Sequence, residues 1–219
     1  MKNSAESTRS LRPSAPLFLT SFLAALILIG SASAHAATLC VNIQPACAFN
    51  NFTAEHLQVA LTAARGNPGA DIVRVGPGTY TSASGFNSSD NDPLTVVGAG
   101  PGSTFLNASG NGSTTLTSVF AQGGDVSGMT LSMTDSPRKA TFGLRLTNGT
   151  IHNVDIRDLA TEPGKFTAAQ LDLNSIVRNS SIEVGAGDTG ITCVASVDCT
   201  VRDDKRRRAR SSKSISGHD

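Results

Sequence analysis

Apolar positions along this chain recur in short alternating runs. Phe142-Gly-Leu-Arg-Leu146, Ala169-Gln-Leu-Asp-Leu173 and Thr189-Gly-Ile-Thr-Cys193 alternate with a period of two, the pattern of strands with one buried face. The segments Val126-Ser-Gly-Met-Thr-Leu-Ser-Met133, Ile151-His-Asn-Val-Asp-Ile-Arg-Asp158, Val177-Arg-Asn-Ser-Ser-Ile-Glu-Val184 and Ser196-Val-Asp-Cys-Thr-Val-Arg-Asp203 line up on one another. Taking Gly128, Asn153, Asn179 and Asp198 as equivalent, the steps are 25, 26 and 19 residues, the length of one β-solenoid coil. Each coil buries its apolar side only against the next, so the chain is predicted to be a stack. Leu144 and Leu146, Leu171 and Leu173, and Ile191 and Cys193 are expected to form inward ladders. Asn153 and Asn179 fall at a bend, where asparagine bonds neighbouring backbone and tolerates unusual dihedrals.

One helix is predicted, from Thr53 to about Arg65. Thr53 is placed as its cap, Phe52 and Leu57 as a staple, and Leu57, Ala60, Leu61 and Ala64 as its apolar stripe, with Gly66 as a left-handed stop. Such a helix covers the open end of a first coil. Asp71-Ile-Val-Arg-Val75 and Leu94-Thr-Val-Val97 read as strands, Gly76-Pro-Gly78 as a turn, and Ser82 to Asp92 as a polar loop.

A capping helix, then Asp-Ile-Val-Arg-Val-Gly-Pro-Gly-Thr-Tyr80, then Leu-Thr-Val-Val-Gly-Ala-Gly100, resembles the opening of secreted right-handed parallel β-helix proteins of the pectin-lyase-like superfamily. The resemblance covers roughly Cys40 to Val201, and Val75-Gly-Pro-Gly-Thr-Tyr80 is its most specific stretch. It implies an all-β fold, a right-handed parallel β-helix of few coils with a short N-terminal capping α-helix. A feature of that family is stacked asparagines at one bend.

Lys2, Arg9 and Arg12, the fourteen-residue apolar run Pro16–Ile29, and small residues at Ala34 and Ala36 together read as a secretion signal cleaved between Ala36 and Ala37. The run is short for a membrane span, which leaves an uncleaved anchor as the competing reading. Residues 1–36 are thus taken as leader, 37–201 as the β-helix domain and 202–219 as a basic disordered tail. Export favours disulfides for the four cysteines, with Cys40 paired to Cys47 and Cys193 to Cys199 by proximity. In the repeat alignment Cys199 falls at the position of Met129, Val154 and Ser180, and Cys193 at that of Leu173, so two buried thiols are the alternative for the second pair.

Between residues 37 and 201 stand eight basic and thirteen acidic side chains, a charge of −5 that argues against a nucleic-acid partner. The tail from Arg202 to Lys213 has the pattern of a nucleic-acid or import patch, which an exported chain would not use that way. Its change of composition is taken as disorder or a shifted reading frame, and the chain as a truncated relative of a longer solenoid.

Chemistry is expected on the outward side of the repeats. Asp155 and Arg157 emerge from one strand, with Thr130 and Ser132 one coil before and Ser181 and Glu183 one coil after. Arg157 and Glu183 are expected to pair, with Asp155 between two hydroxyls. Asp155 and Asp158, three apart on a strand, should face opposite ways and share no catalytic geometry. His152 shows no orienting acid in the sequence, and Asp90-Asn-Asp92 offers oxygen ligands of the kind calcium takes; no other cofactor is expected. Asn-x-Ser/Thr sequons stand at Asn51, Asn87, Asn107, Asn111, Asn148 and Asn179.

The resemblance implies lyases with an acidic calcium site or hydrolases with gathered aspartates, and neither constellation transfers residue by residue. The expectation is a secreted or cell-surface module, non-catalytic, contacting polysaccharide or a surface component, without a stable membrane span after cleavage. The competing readings are the front part of a polysaccharide lyase or glycoside hydrolase and a non-functional truncated product.

Overall fold

The protein is described by a computed structural model that covers residues 35–43, 47, 51–52, 54–109, 114–133, 141–159, 166–185, 187–194, 199–202 and 205–208. Strands β1 (Thr38–Val41) and β2 (Asn51–Phe52) lead through a 3-10 turn, Ala54–His56, into helix α1 (Leu57–Gly66). Coils of three strands follow: β3 (Asp71–Val75), β4 (Gly78–Ser82) and β5 (Phe86–Asn87), then β6 (Leu94–Gly98), β7 (Thr104–Ala108) and β8 (Thr114–Val119). In the next two coils one long strand replaces the first two: β9 (Gly124–Met133) with β10 (Thr141–Thr147), and β11 (Thr150–Asp158) with β12 (Phe166–Asp172). Strands β13 (Ser175–Arg178), β14 (Ser181–Val184) and β15 (Thr189–Val194) form a further coil, and β16 (Cys199–Arg202) and β17 (Lys205–Arg208) continue the stack.

Among the described residues every strand pairing is parallel, the arrangement of a parallel β-helix. A 12-stranded sheet covers two faces and a 5-stranded sheet the third. The first two faces are one sheet because β9 and β11 run straight through the bend. At that bend Gly128, Asn153 and Asn179 have φ of 68°, 52° and 50°, the left-handed region that asparagine and glycine tolerate, as the repeat alignment predicts. Close approach adds a second constraint: a Cβ on Gly128 would lie 2.7 Å from the Gly98 carbonyl oxygen, and one on Gly98 2.2 Å from that of Gly128.

The core is a set of aliphatic ladders, one rung per coil. Leu39, Val73, Val96, Val126, Ile151 and Val177 stack on the first face, Tyr80, Leu106, Leu131, Ile156 and Ile182 on the second, and Leu116, Leu144 and Ala169 on the third. All are buried, and each Val, Leu and Ile among them contributes about 1.5–3 kcal/mol by leaving water. The Tyr80 hydroxyl donates to the Gly76 carbonyl at 3.0 Å, and burial raises its pKa against a lowering hydrogen bond from the Asn42 side chain.

Helix α1 buries Leu57, Ala60, Leu61 and Ala64, the expected stripe, against the first coil. It also completes the third sheet. The Gln58 side-chain amide accepts from the Asn87 N–H at 2.8 Å and donates to the Asn87 carbonyl at 3.1 Å, standing in for a neighbouring strand at the edge of β5. The expected cap Thr53 lies outside the described residues. Gly66 is not the left-handed stop: the helix ends at Asn67 in extended geometry, with its N–H on the Ala64 carbonyl.

Four expectations need correction. Leu171, not Leu173, stacks on Leu146; Leu173 lies in the following turn at φ 32° and is 48% exposed. The fourth repeat segment is placed five residues off, because Val201 pairs with Val177 and Cys199 with Ser175. Cys193 stands in register with Leu171 but is exposed, so it is no buried thiol. Strand pairing also runs past residue 201 into the basic segment, where β17 pairs with β14. Cys40 and Cys47 form a disulfide, Cys193 is disulfide-bonded, and no described cysteine is free. Residues 1–34 of the leader segment lie outside the described residues, and among those described no helix is long and apolar enough to cross a membrane.

Candidate functional site

The bend at Asn153 turns the second half of β11 onto the second face, where alternation presents Asp155 and Arg157 outward and buries Ile156. Register places Asp155 between Thr130 and Ser181, and Arg157 between Ser132 and Glu183. Adjacent strands are ~4.8 Å apart, so the six predicted residues do share one face.

They do not share solvent. Thr130 and Ser132 are buried, at 1% and 5% exposure, rather than open. The turn after β6 folds over Thr130, whose Oγ1 accepts from the Gly102 N–H at 3.1 Å, and Ser132 donates to the Leu106 carbonyl at 3.4 Å. The open part of the strip is therefore Asp155, Arg157, half-buried Ser181 and exposed Glu183.

Arg157 pairs with Asp155, not with Glu183. Its guanidinium donates to Asp155 Oδ2 at 2.7 Å along the same strand, with 40% and 21% of the two side chains exposed. Side chains two apart on a strand share a face, so this pair forms without help from the next coil. Asp158 stands in register with buried Met133 and holds its Oδ2 away from solvent, apart from Asp155 as expected. Two further residues extend the outward columns: Phe105 precedes Thr130 and Asn107 precedes Ser132, both half-buried on β7.

A second polar pair, with an acid the sequence reading missed, lies on the first face. His152 Nε2 is 3.1 Å from Asp125 Oδ1, each side chain about a third exposed (33% and 31%). Ser127 and Arg178 flank His152 in register on either side. The signal was present in the repeat alignment: matching Val126 to Ile151 puts Asp125 beside Thr150, one diagonal from His152.

The Asp90-Asn-Asp92 loop is occupied by its own backbone. Asp90 Oδ1 accepts from the Asp92 N–H, and Asp92 accepts from the Gly69 N–H and from Gln122. Asp90 Oδ2 is buried without a hydrogen-bond partner, and among the described residues no three His, Cys, Asp or Glu side chains gather as a metal site. An open cleft of about 200 Å³ lies beside the loop, lined by Arg65, Ser89, Asp90, Asn91, Val119 and Ala121. The chain matches no protein-family model and no curated protein.

Proposed function

We propose that this is a secreted or cell-surface β-helix module of the pectin-lyase-like kind that contacts glycans or a surface component through its second face, without turning them over. The observation that carries the reading is the Asp155–Arg157 pair, an outward-facing polar couple on a strand-built surface beside Ser181 and Glu183. Its carboxylate is held by the neighbouring guanidinium, which suits hydrogen bonding to hydroxyls better than proton transfer. The Cys40–Cys47 disulfide supports an oxidising compartment.

The competing reading, the front part of a polysaccharide lyase or glycoside hydrolase, draws on one observation, the Asp125–His152 pair, an acid orienting a base. Cosedimentation of the exported protein with insoluble polysaccharides, with release of unsaturated and reducing sugars followed in parallel, separates the two. Binding without product is expected. Product formation that His152→Ala abolishes would establish the enzyme reading instead.

A further inference from the structure

Asp71 is a carboxylate where the fold asks for an apolar side chain. It opens β3, is 1% exposed, and stands in register with buried Leu94 of the next coil. Its Oδ1 accepts from the Asn67 side-chain amide at 2.8 Å and from the backbone N–H of Ala37 at 2.7 Å. Its Oδ2 is buried with no hydrogen-bond partner. A carboxylate buried this deeply, with one oxygen unsatisfied, is costly unless a positive charge meets it.

The atom that touches it is the nitrogen that cleavage would set free. The leader is expected to end at Ala36, and both His35 and Ala36 are exposed, whereas Ala37 packs against the core and its carbonyl accepts from the Ile72 N–H at 2.9 Å. The scissile bond thus lies at the boundary between exposed chain and the first rung of the sheet.

We infer that Ala36–Ala37 is a processing site whose new α-ammonium group locks onto Asp71. Hydrolysis by the export peptidase adds one water across the amide, leaving a carboxylate on Ala36 and an amine on Ala37 that takes up a proton. A peptide N–H offers Asp71 one proton and no charge; the ammonium offers three protons and a full charge to the same carboxylate, including Oδ2. Among the described residues the side chain hydrogen-bonded to this carboxylate, that of Asn67, is neutral, and the new amine supplies a counter-charge. Maturation therefore strengthens the first coil rather than merely releasing it. The inference rests on the export reading above.

The test is N-terminal sequencing of the exported protein, followed by thermal unfolding of three forms: this product, a form retaining Ala36, and the product with its α-amino group acetylated. A product beginning at Ala37, with Tm about 5 °C above both other forms, is expected. Asp71→Asn should remove that difference while keeping an acceptor for the Ala37 nitrogen. The advantage should also fade as pH rises past about 8, where an unfolded α-amino group loses its proton, and through the raised value that pairing gives the folded one. An unprocessed chain would sink the export reading itself. Cleavage elsewhere, or three forms of equal Tm, would leave export standing and overturn the lock.

Discussion

The two ends of the described stack solve the same problem differently. At the first coil, α1 lays Leu57 and Leu61 over the core, Gln58 pairs with the β5 backbone, and the Cys40–Cys47 disulfide ties β1 to the segment behind it. At β15 the same inward columns are less protected: Ile191 is only partly buried and Cys193 exposed, where Leu144 and Leu146 two coils earlier are at 0% exposure. Burial in a solenoid is lent by the neighbouring coil, so a residue's contribution depends on how many coils flank it more than on its identity.

The largest test of that statement compares truncation to alanine at an interior and at a less flanked position. Leu131→Ala, in the middle of the second-face ladder, should cost about 4 kcal/mol in urea unfolding followed by far-UV circular dichroism. Ile191→Ala should cost about 1 kcal/mol, and equal losses would refute the idea that flanking coils set the value. At the bend of an interior coil, Gly128→Ala should cost about 3 kcal/mol through its left-handed φ and its clash with the Gly98 carbonyl, whereas Asn153→Gly should be near neutral. At the sealed end, Cys40→Ser should lower stability by about 2 kcal/mol, measured against the oxidised parent. Gln58→Ala should cost about 1 kcal/mol and raise hydrogen exchange at Asn87 before any other β5 amide.

The mildest effect is one of pH. Tyr80 is the single tyrosine of a chain without tryptophan, so its phenolate absorbance reports one site. Burial holds its proton more tightly in the folded state, so its contribution is complete below pH about 10 and is lost as pH rises through the raised value. Phenolate formation at the ordinary pKa, with no loss of β signal, would show that the first coil opens too readily to protect it.

Much of this fold was legible in the residues. The stripe of α1, the ladder from Val126 through Ile151 to Val177, and the asparagine bends all follow from period and spacing. What failed did so for a geometric reason. A slip of two residues keeps the alternation in phase, so Leu173 passed for Leu171. Across the bend the phase shifts, so Val177 and Ile182, five apart, are both buried and parity could not tell which one Val201 pairs with in register. In the strip, the pairing of Asp155 and Arg157 was a choice between two partners within reach, which spacing alone does not settle. The cover over Thr130 comes from a turn in another coil, and no local pattern announces it.

The amide of Gln58 has one more implication. Because a side chain completes a main-chain ladder, α1 has a single angular setting, like a key cut on two edges: the apolar stripe on one and the glutamine on the other. One residue added or removed inside the helix ahead of Leu61 would swing Gln58 by ~100° relative to the stripe. The spacing from Gln58 to Leu61 is therefore fixed by two unrelated contacts at once.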